Sequence, residues 1–113
     1  MSSLLVRATM PILPGKAQAA KEAARALKER SDREDKGMLV YQFFVDASEE
    51  NIIAFEGYKD LTSCLAHIDA SDFGPLFNAV DARRMALQIH GDADDAAAAF
   101  AAIGEFELYS PAL

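Results

Sequence analysis

The chain has 113 residues, of which 51% are hydrophobic and 26% are charged, and its formal net charge is -7. That length fits one domain with a single core and leaves no room for two. The chain has 18 acidic and 11 basic residues, and this negative charge repels phosphate backbones and anionic lipid surfaces. Because no apolar run approaches the roughly 20 residues of a membrane helix, we expect neither a nucleic acid nor a membrane as a partner.

The cysteine and histidine content argues against a metal site. Cys64 is the single cysteine, which excludes an internal disulfide and a cysteine metal cluster. The two histidines have no ligand spacing between them, so no metal is predicted. The amino-terminal segment 1–7 has no basic region ahead of a long apolar stretch. It therefore does not resemble a signal peptide, and we expect a cytoplasmic protein.

The first part of the chain has a strand pattern followed by a helix pattern. Alternating apolar residues predict a strand over 4–12, which a Pro-Gly pair ends. Alanines at helical spacing predict a helix that begins near Lys16. The charged run 28–36 is interpreted as the solvated end of that helix, and Gly37 is its predicted stop.

The next elements are a hairpin, short helices and a further strand. Branched and aromatic residues predict two strands, over 38–45 and 52–58, joined by a polar loop. Asp60 is the predicted cap of a short helix, and a second short helix is predicted over 71–80. Alternation returns over 85–90 and predicts a fourth strand.

Beyond residue 90 the sequence predicts a helix and a short strand. Asp92 or Asp94 caps an alanine-rich helix that Gly104 ends, and 106–109 has the pattern of a strand. The order strand, helix, strand, strand, helices, strand is ferredoxin-like. We therefore expect one α+β domain over 1–113, with an antiparallel four-stranded sheet in the core 4–90 and a helix-strand extension over 91–113.

The second predicted strand is apolar on both of its faces. Helices can cover only one face of a four-stranded antiparallel sheet, and an apolar second face needs cover of its own. A second copy of the chain is the simplest cover, so the sequence predicts a homodimer.

Several short motifs between residues 4 and 90 resemble a known family. They are Pro14-Gly15-Lys16, Gly37-Met38-Leu39-Val40-Tyr41, Phe55-Glu56-Gly57-Tyr58-Lys59-Asp60, Leu65-Ala66-His67 and Ser71-Asp72-Phe73. In this order they resemble the first turn, the entry to the second strand, the strand-end Glu-x-Trp, the histidine helix and the segment after the histidine in the antibiotic biosynthesis monooxygenase (ABM) domain family. That family belongs to the dimeric α/β barrel superfamily.

The resemblance implies a dimer whose sheets face each other, with a pocket between each sheet and its helices. Some members oxygenate phenols, quinols or anthrones without flavin or metal. Such chemistry needs a dry pocket, a proton acceptor and a group that stabilises the substrate anion. We therefore expect a cofactor-independent monooxygenase that acts on a small aromatic substrate of the quinol, phenol or anthrone type.

The resemblance implies catalytic roles for His67, Tyr58 and Glu56. His67 is the candidate proton acceptor, because an unperturbed imidazole has a pKa of ~6.5; the alternative is a packing role. Glu56 orients a base or holds a substrate hydroxyl, or else it forms an ion pair with Arg7. Tyr58 stands where the family usually has tryptophan, and it either stacks on a substrate ring or belongs to the core.

The remaining pocket residues are predicted to bind substrate. Arg7 is the candidate for stabilising an anionic substrate. Tyr41 and Gln42 are adjacent in a strand and face opposite ways, so only one of them lines the pocket. The predicted substrate-binding residues are Arg7, Thr9, Gln42, Phe73 and Phe77.

Other functions stay open at this point. Haem-degrading members of the superfamily have an asparagine on the first strand and a tryptophan on the third, and this chain has neither. Haem chemistry is therefore not expected, and no cofactor is predicted. The alternatives to the monooxygenase are a non-catalytic dimeric module that binds a small hydrophobic ligand and a dimer that serves only as an interaction unit.

Overall fold

The computed structural model describes residues 3–113. Met1 and Ser2, which belong to the segment without a signal-peptide pattern, lie outside the described residues. The elements in chain order are β1 Leu4–Pro11, α1 Ala17–Glu34, β2 Met38–Val45, β3 Asn51–Tyr58, α2 Leu61–Ala70, α3 Gly74–Phe77, a 3-10 helix Ala82–Arg84, β4 Ala86–His90, α4 Ala93–Phe100 and β5 Glu107–Tyr109. Within this part of the chain, no helix is both long and apolar enough to cross a membrane.

The strands form a sheet in the order β2-β3-β1-β4-β5. β1 lies in the centre and pairs antiparallel with both β3 and β4, while β2 and β3 form the hairpin. These four strands have the ferredoxin-like arrangement that the sequence predicts. The expectation of a four-stranded antiparallel sheet is wrong at one edge. There β5 pairs in parallel with β4, because the intervening α4 returns the chain to the same end of the sheet. The sheet of residues 3–113 is therefore five-stranded and mixed.

The helices cover one face of the sheet, here called the inner face. Alternate residues of β1 point to it and are buried: Leu4, Val6, Ala8 and Met10. The buried stripe of α1 consists of small residues and Leu27, so the helix packs close to the sheet. The inner face and these helices form the hydrophobic core.

Aspartate side chains cap the amino-terminal ends of α2 and α4. The Ser63 backbone N–H donates to the Asp60 carboxylate over 2.8 Å, so the predicted cap of α2 is confirmed. Asp92 caps α4 in the same way. The helix predicted over 71–80 is reduced to α3, because Asp72 accepts a hydrogen bond from the Gly74 N–H in a turn that precedes the helix.

The other face of the sheet, here called the outer face, has no cover within residues 3–113. Large apolar side chains of β1, β2 and β3 are exposed on it, with Phe44 at 52% and Phe55 at 40% of their surface accessible. The rings of these two residues lie edge to face with centroids 5.6 Å apart. The exposed patch also includes Leu5 and Val40.

Candidate functional site

A cavity of about 180 Å³ lies between the inner face and the helices. The sheet contributes Tyr41, Phe43 and Glu56 to its wall, and the helical side contributes Phe73 and Phe77 among others. Nearly all of its lining is aliphatic or aromatic. Among the described lining residues, Glu56 alone carries a carboxyl group.

The Glu56 carboxyl is held by its neighbour on the strand. Glu56 and Tyr58 are two residues apart in β3, so both point to the inner face. The Tyr58 hydroxyl donates a hydrogen bond to Glu56 Oε1. Burial raises the pKa of Glu56 to about 7, and the hydrogen bond from Tyr58 opposes this increase. Near neutral pH the carboxyl therefore exists in both its acidic and its basic form.

Two tyrosines surround this carboxyl. Tyr41 of β2 lies directly opposite Glu56 across the β2–β3 pair and lines the cavity. Tyr58 is fully buried behind it. Burial, and then the nearby Glu56 charge, raise the pKa of both hydroxyls well above their usual value. Both tyrosines therefore remain hydrogen-bond donors at neutral pH.

His67 is fully enclosed directly behind the cavity wall. Its ring contacts the Tyr41 ring edge to face, with centroids 4.8 Å apart, and the Phe73 ring at 6.0 Å. Both of these neighbours line the cavity, whereas His67 itself does not. A ligand in the cavity would therefore be separated from His67 by one layer of aromatic side chains.

An aspartate fixes the orientation of the His67 ring. His67 Nδ1 lies 2.7 Å from Asp35 Oδ2. Because an ionised carboxylate only accepts hydrogen bonds, Nδ1 carries the proton and Nε2 has the lone pair. Nε2 is buried and has no hydrogen-bond partner among residues 3–113. Burial lowers the pKa of His67 more than Asp35 raises it, so the ring is neutral at neutral pH.

Asp35 and His67 belong to a network that links α1 to α2. The Arg30 guanidinium donates to Asp35 Oδ2 over 2.7 Å and to Ser71 Oγ over 2.9 Å, and the Ser71 hydroxyl donates to the His67 carbonyl over 2.6 Å. Burial alone would raise the pKa of Asp35. Its hydrogen bonds with His67, Ser31 and Arg30 outweigh this effect, and the net result is a lowered pKa. The carboxylate is therefore ionised.

Comparisons with known proteins were made for the whole chain. No protein-family model and no curated protein matches it, whereas solved structures do. MupZ from Pseudomonas fluorescens has a TM-score of 0.76 at 16% identity, over 98% of this chain and 91% of MupZ. A Caulobacter crescentus protein named as a candidate antibiotic biosynthesis monooxygenase has a TM-score of 0.69 at 19% identity, over 78% of this chain and 87% of that protein. A conserved protein from Methanosarcina mazei has a TM-score of 0.67 at 24% identity, over 79% of this chain and 91% of that protein.

The chain has an ABM-like fold. The resemblance predicted from the short motifs is confirmed at this level, since identities of 16% and 24% carry the fold alone. The match to MupZ covers 98% of the chain and therefore includes the carboxy-terminal extension.

The ABM-like fold brings some predicted site residues together. Glu56, Phe73 and Phe77 line the cavity, Tyr58 supports Glu56, and His67 lies behind the wall. Of the adjacent pair in β2, Tyr41 is the one that faces the cavity.

Arg7, Thr9 and Gln42 do not line this cavity. In β1 the register places Val6 opposite Glu56 and Arg7 opposite Phe55, so Arg7 points to the outer face. Its guanidinium lies 5.7 Å from the centre of the Phe55 ring. The predicted ion pair between Arg7 and Glu56 is therefore wrong, and so is the position of Arg7 beside a bound anion. The same alternation places Thr9 and Gln42 on the outer face.

Several residues near the cavity were not predicted from the sequence. Asp35 and Arg30 lie in or next to the charged run that was interpreted as solvated surface, and their contact with His67 joins residues far apart in sequence. Phe100 and Ile103 come from the extension and line the cavity. The alternation of β2 does carry a signal for Tyr41, because it shares a face with other large apolar residues.

The described residues contain no arrangement of three or more His, Cys, Asp or Glu side chains suited to hold a metal ion. Cys64 is free and buried, and burial raises the pKa of its thiol to about 12. It therefore stays a thiol at neutral pH and is a poor nucleophile.

Proposed function

We propose that the chain is a cofactor-independent monooxygenase that oxidises a small aromatic substrate of the quinol, phenol or anthrone type. The observation that carries the proposal is the Glu56 carboxyl in an otherwise apolar cavity. Its pKa is raised to about 7, and the Tyr58 hydroxyl holds it in place. A general base works best when its pKa lies near the working pH.

The first step is a proton transfer. A substrate hydroxyl donates a hydrogen bond to the Glu56 carboxylate and then passes its proton to it, which leaves an electron-rich phenolate. We assign the stabilisation of this anion to the Tyr41 hydroxyl, because Tyr41 lies opposite Glu56 and lines the cavity. Arg7 has no part in this step. The role of His67 as the general base stays a prediction. Its Nε2 lone pair reaches a ligand only if Tyr41 or Phe73 moves aside.

The second step is the reaction with oxygen. The phenolate gives one electron to O2, and the resulting radical and superoxide combine at a ring carbon to form a peroxide. Protonated Glu56 returns its proton to the peroxide oxygen. The ring C–H proton then passes to Glu56 as the O–O bond breaks, which forms a carbonyl and releases hydroxide. The hydroxide takes that proton from Glu56 to form water, and the Glu56 carboxylate is restored. For phenol itself the balance is phenol plus O2 to benzoquinone plus water.

Oxygen uptake by metal-free protein with a panel of phenols and quinols tests this proposal. Glu56→Gln should lower turnover by roughly a hundredfold or more, the usual contribution of a general base. The wild-type rate should increase as the pH rises through about 7, because the carboxylate is the active form. Tyr58→Phe removes a hydrogen bond that lowers the Glu56 pKa, so it should move that increase to higher pH. If the His67→Gln variant loses turnover while the Glu56→Gln variant stays active, His67 and not Glu56 is the general base.

A non-catalytic module that binds a small hydrophobic ligand is the second candidate. The enclosure of His67 favours it, because a histidine behind the wall supplies no proton acceptor to a ligand. Aromatic ligands would then bind to the cavity without any oxygen uptake.

We infer that the protein forms a homodimer through the outer face. Support comes from the exposed patch that includes Phe44, Phe55 and Leu5, since a monomer would leave these side chains in water. A dimer of this kind buries on the order of 1,600 Å² in total.

A further inference from the structure

The carboxy-terminal extension supplies part of the cavity wall. Phe100, the last residue of α4, is buried, and Ile103 lies in the turn that follows; both line the cavity beside residues of the sheet and of α2 and α3. The backbone N–H groups of Ile103 and Gly104 donate to the Phe100 carbonyl over 2.9 Å and 3.2 Å. These bonds hold Ile103 next to Phe100.

The extension is anchored on both sides of this wall. Before it, α4 buries Ala96 and Ala99 along with Phe100. After it, β5 pairs with β4, the Gly91 N–H donates to the Tyr109 carbonyl over 3.0 Å, and the Tyr109 ring stacks on His90 with centroids 4.9 Å apart. These contacts hold this part of the wall in place.

The cavity volume limits what fits between this wall and Glu56. An apolar cavity of about 150 Å³ holds one benzene molecule, and this cavity measures about 180 Å³. One substituted ring fits in that space. Three fused rings exceed this volume.

We propose that the extension, residues 91–113, forms part of the substrate site and that Phe100 and Ile103 set its size limit. The substrate is then a single-ring phenol or quinol whose hydroxyl meets Glu56 and whose far edge contacts these two side chains. This inference rests on the proposed function only in taking the polar group of the ligand to be a phenolic hydroxyl. The size limit itself is a property of binding, and it is measured without turnover.

The experiment measures affinity for phenol, 1-naphthol and 2-hydroxyanthracene, which carry the same hydroxyl on one, two and three rings. Calorimetric titration under anaerobic conditions prevents any reaction with oxygen. Ile103→Ala is the test variant, because Ile103 is 43% exposed and its truncation leaves the core intact. Ile103→Trp is the opposite variant, which narrows the space. Leu108→Ala is the matched control, since Leu108 is an apolar residue of the same extension that is 38% exposed and does not line the cavity.

We expect the wild-type protein to bind phenol at least about tenfold more tightly than 2-hydroxyanthracene. Ile103→Ala should reduce that ratio about tenfold, Ile103→Trp should increase it, and Leu108→Ala should leave it unchanged. Equal wild-type affinities for one and three rings would overturn the inference. So would an unchanged ratio in both Ile103 variants, or the absence of binding by every phenol. Binding with the expected ratios but without oxygen uptake would instead contradict the monooxygenase and keep the size limit.

Discussion

At the scale of single residues, the half-buried carboxyl of Glu56 makes stability depend on pH. Its pKa is about 7 in the fold against 4.5 as the ordinary value. The folded state therefore keeps a proton that the unfolded state releases, and stability is lost as the pH rises from about 4.5 to about 7. The loss is at most about 3.5 kcal/mol, since the shift is about 2.5 pKa units and one unit corresponds to about 1.4 kcal/mol.

Glu56→Gln removes this dependence, because glutamine has no charge to bury. We expect the variant to be more stable than the wild type in urea unfolding at pH 8, by about 1–3 kcal/mol, and close to it at pH 4. The same variant should lose turnover, so stability and activity change in opposite directions. A variant that is less stable at both pH values would show that the carboxyl is ionised and stabilising in the fold.

Asp35 fixes the position of the proton on His67 and forms an ion pair with Arg30. Asp35→Asn removes the charge on which both roles depend and keeps the size of the side chain. The substitution leaves a largely buried guanidinium without its carboxylate, which should cost roughly 3 kcal/mol of the free energy of unfolding. It should also lower the His67 pKa further, because the Asp35 charge raises it. Proton NMR of the His67 ring measures that pKa. Asp32→Asn is the control, since Asp32 is an exposed carboxylate in the last turn of α1, three residues before Asp35. A His67 pKa that is equal in both variants would contradict this role.

At the scale of the elements, Gly37 sets how closely α2 approaches the start of β2. A Cβ atom on Gly37 would lie 1.8 Å from Ser63 Oγ and 2.5 Å from Ser63 Cβ, and the Gly37 carbonyl accepts a hydrogen bond from Lys59. α1 already ends at Glu34. Gly37 is therefore needed for this contact and not as the helix stop that the sequence analysis predicts.

Gly37→Ala should destabilise the fold by about 1–3 kcal/mol, the usual effect of overpacking. In a double-mutant cycle, Ser63→Gly should relieve most of that loss, since it removes the two atoms that the new methyl group meets. Gly104→Ala is the matched control, because a Cβ there has no atom within 4 Å. Additive free energies of unfolding for Gly37→Ala and Ser63→Gly would show that the two sites do not touch.

The elements were predictable because each of them depends on local periodicity. β2 has the predicted bounds, 38–45, and the caps at Asp60 and Asp92 follow from side chains next to the helix. The pairing partner of β5 was not predictable, since a three-residue strand carries too little pattern to select a neighbour.

The site was less predictable, because it depends on contacts between distant residues. Alternation shows that Arg7 and Thr9 share a face, but only the pairing of Val6 with Glu56 shows that this face is the outer one. The contact of Asp35 with His67 joins residues 32 apart and leaves no periodic signal.

At the scale of the whole molecule, the proposed homodimer depends on the outer face. Its apolar patch lies on the strands β1, β2 and β3, away from the cavity and from the helices. Phe44 and Phe55 form an edge-to-face pair within this patch, and Arg7 lies over the Phe55 ring. Because aromatic residues and arginine commonly dominate binding energy at interfaces, we expect this cluster to contribute most to the dimer.

Phe44→Asp tests this expectation by placing a charge within the patch. Burying one carboxylate in each copy without a partner is unfavourable by several kcal/mol. The wild-type chain should therefore sediment as a dimer at micromolar concentration, and Phe44→Asp as a folded monomer with an unchanged circular dichroism spectrum. Leu65→Asp is the control, since Leu65 is 42% exposed on α2, on the opposite side of the sheet. A monomeric wild-type chain would contradict the dimer. A monomeric Leu65→Asp variant beside a dimeric Phe44→Asp variant would place the interface elsewhere. Because the cavity lies on the inner face, the Phe44→Asp monomer should also bind phenol as tightly as the wild-type dimer does.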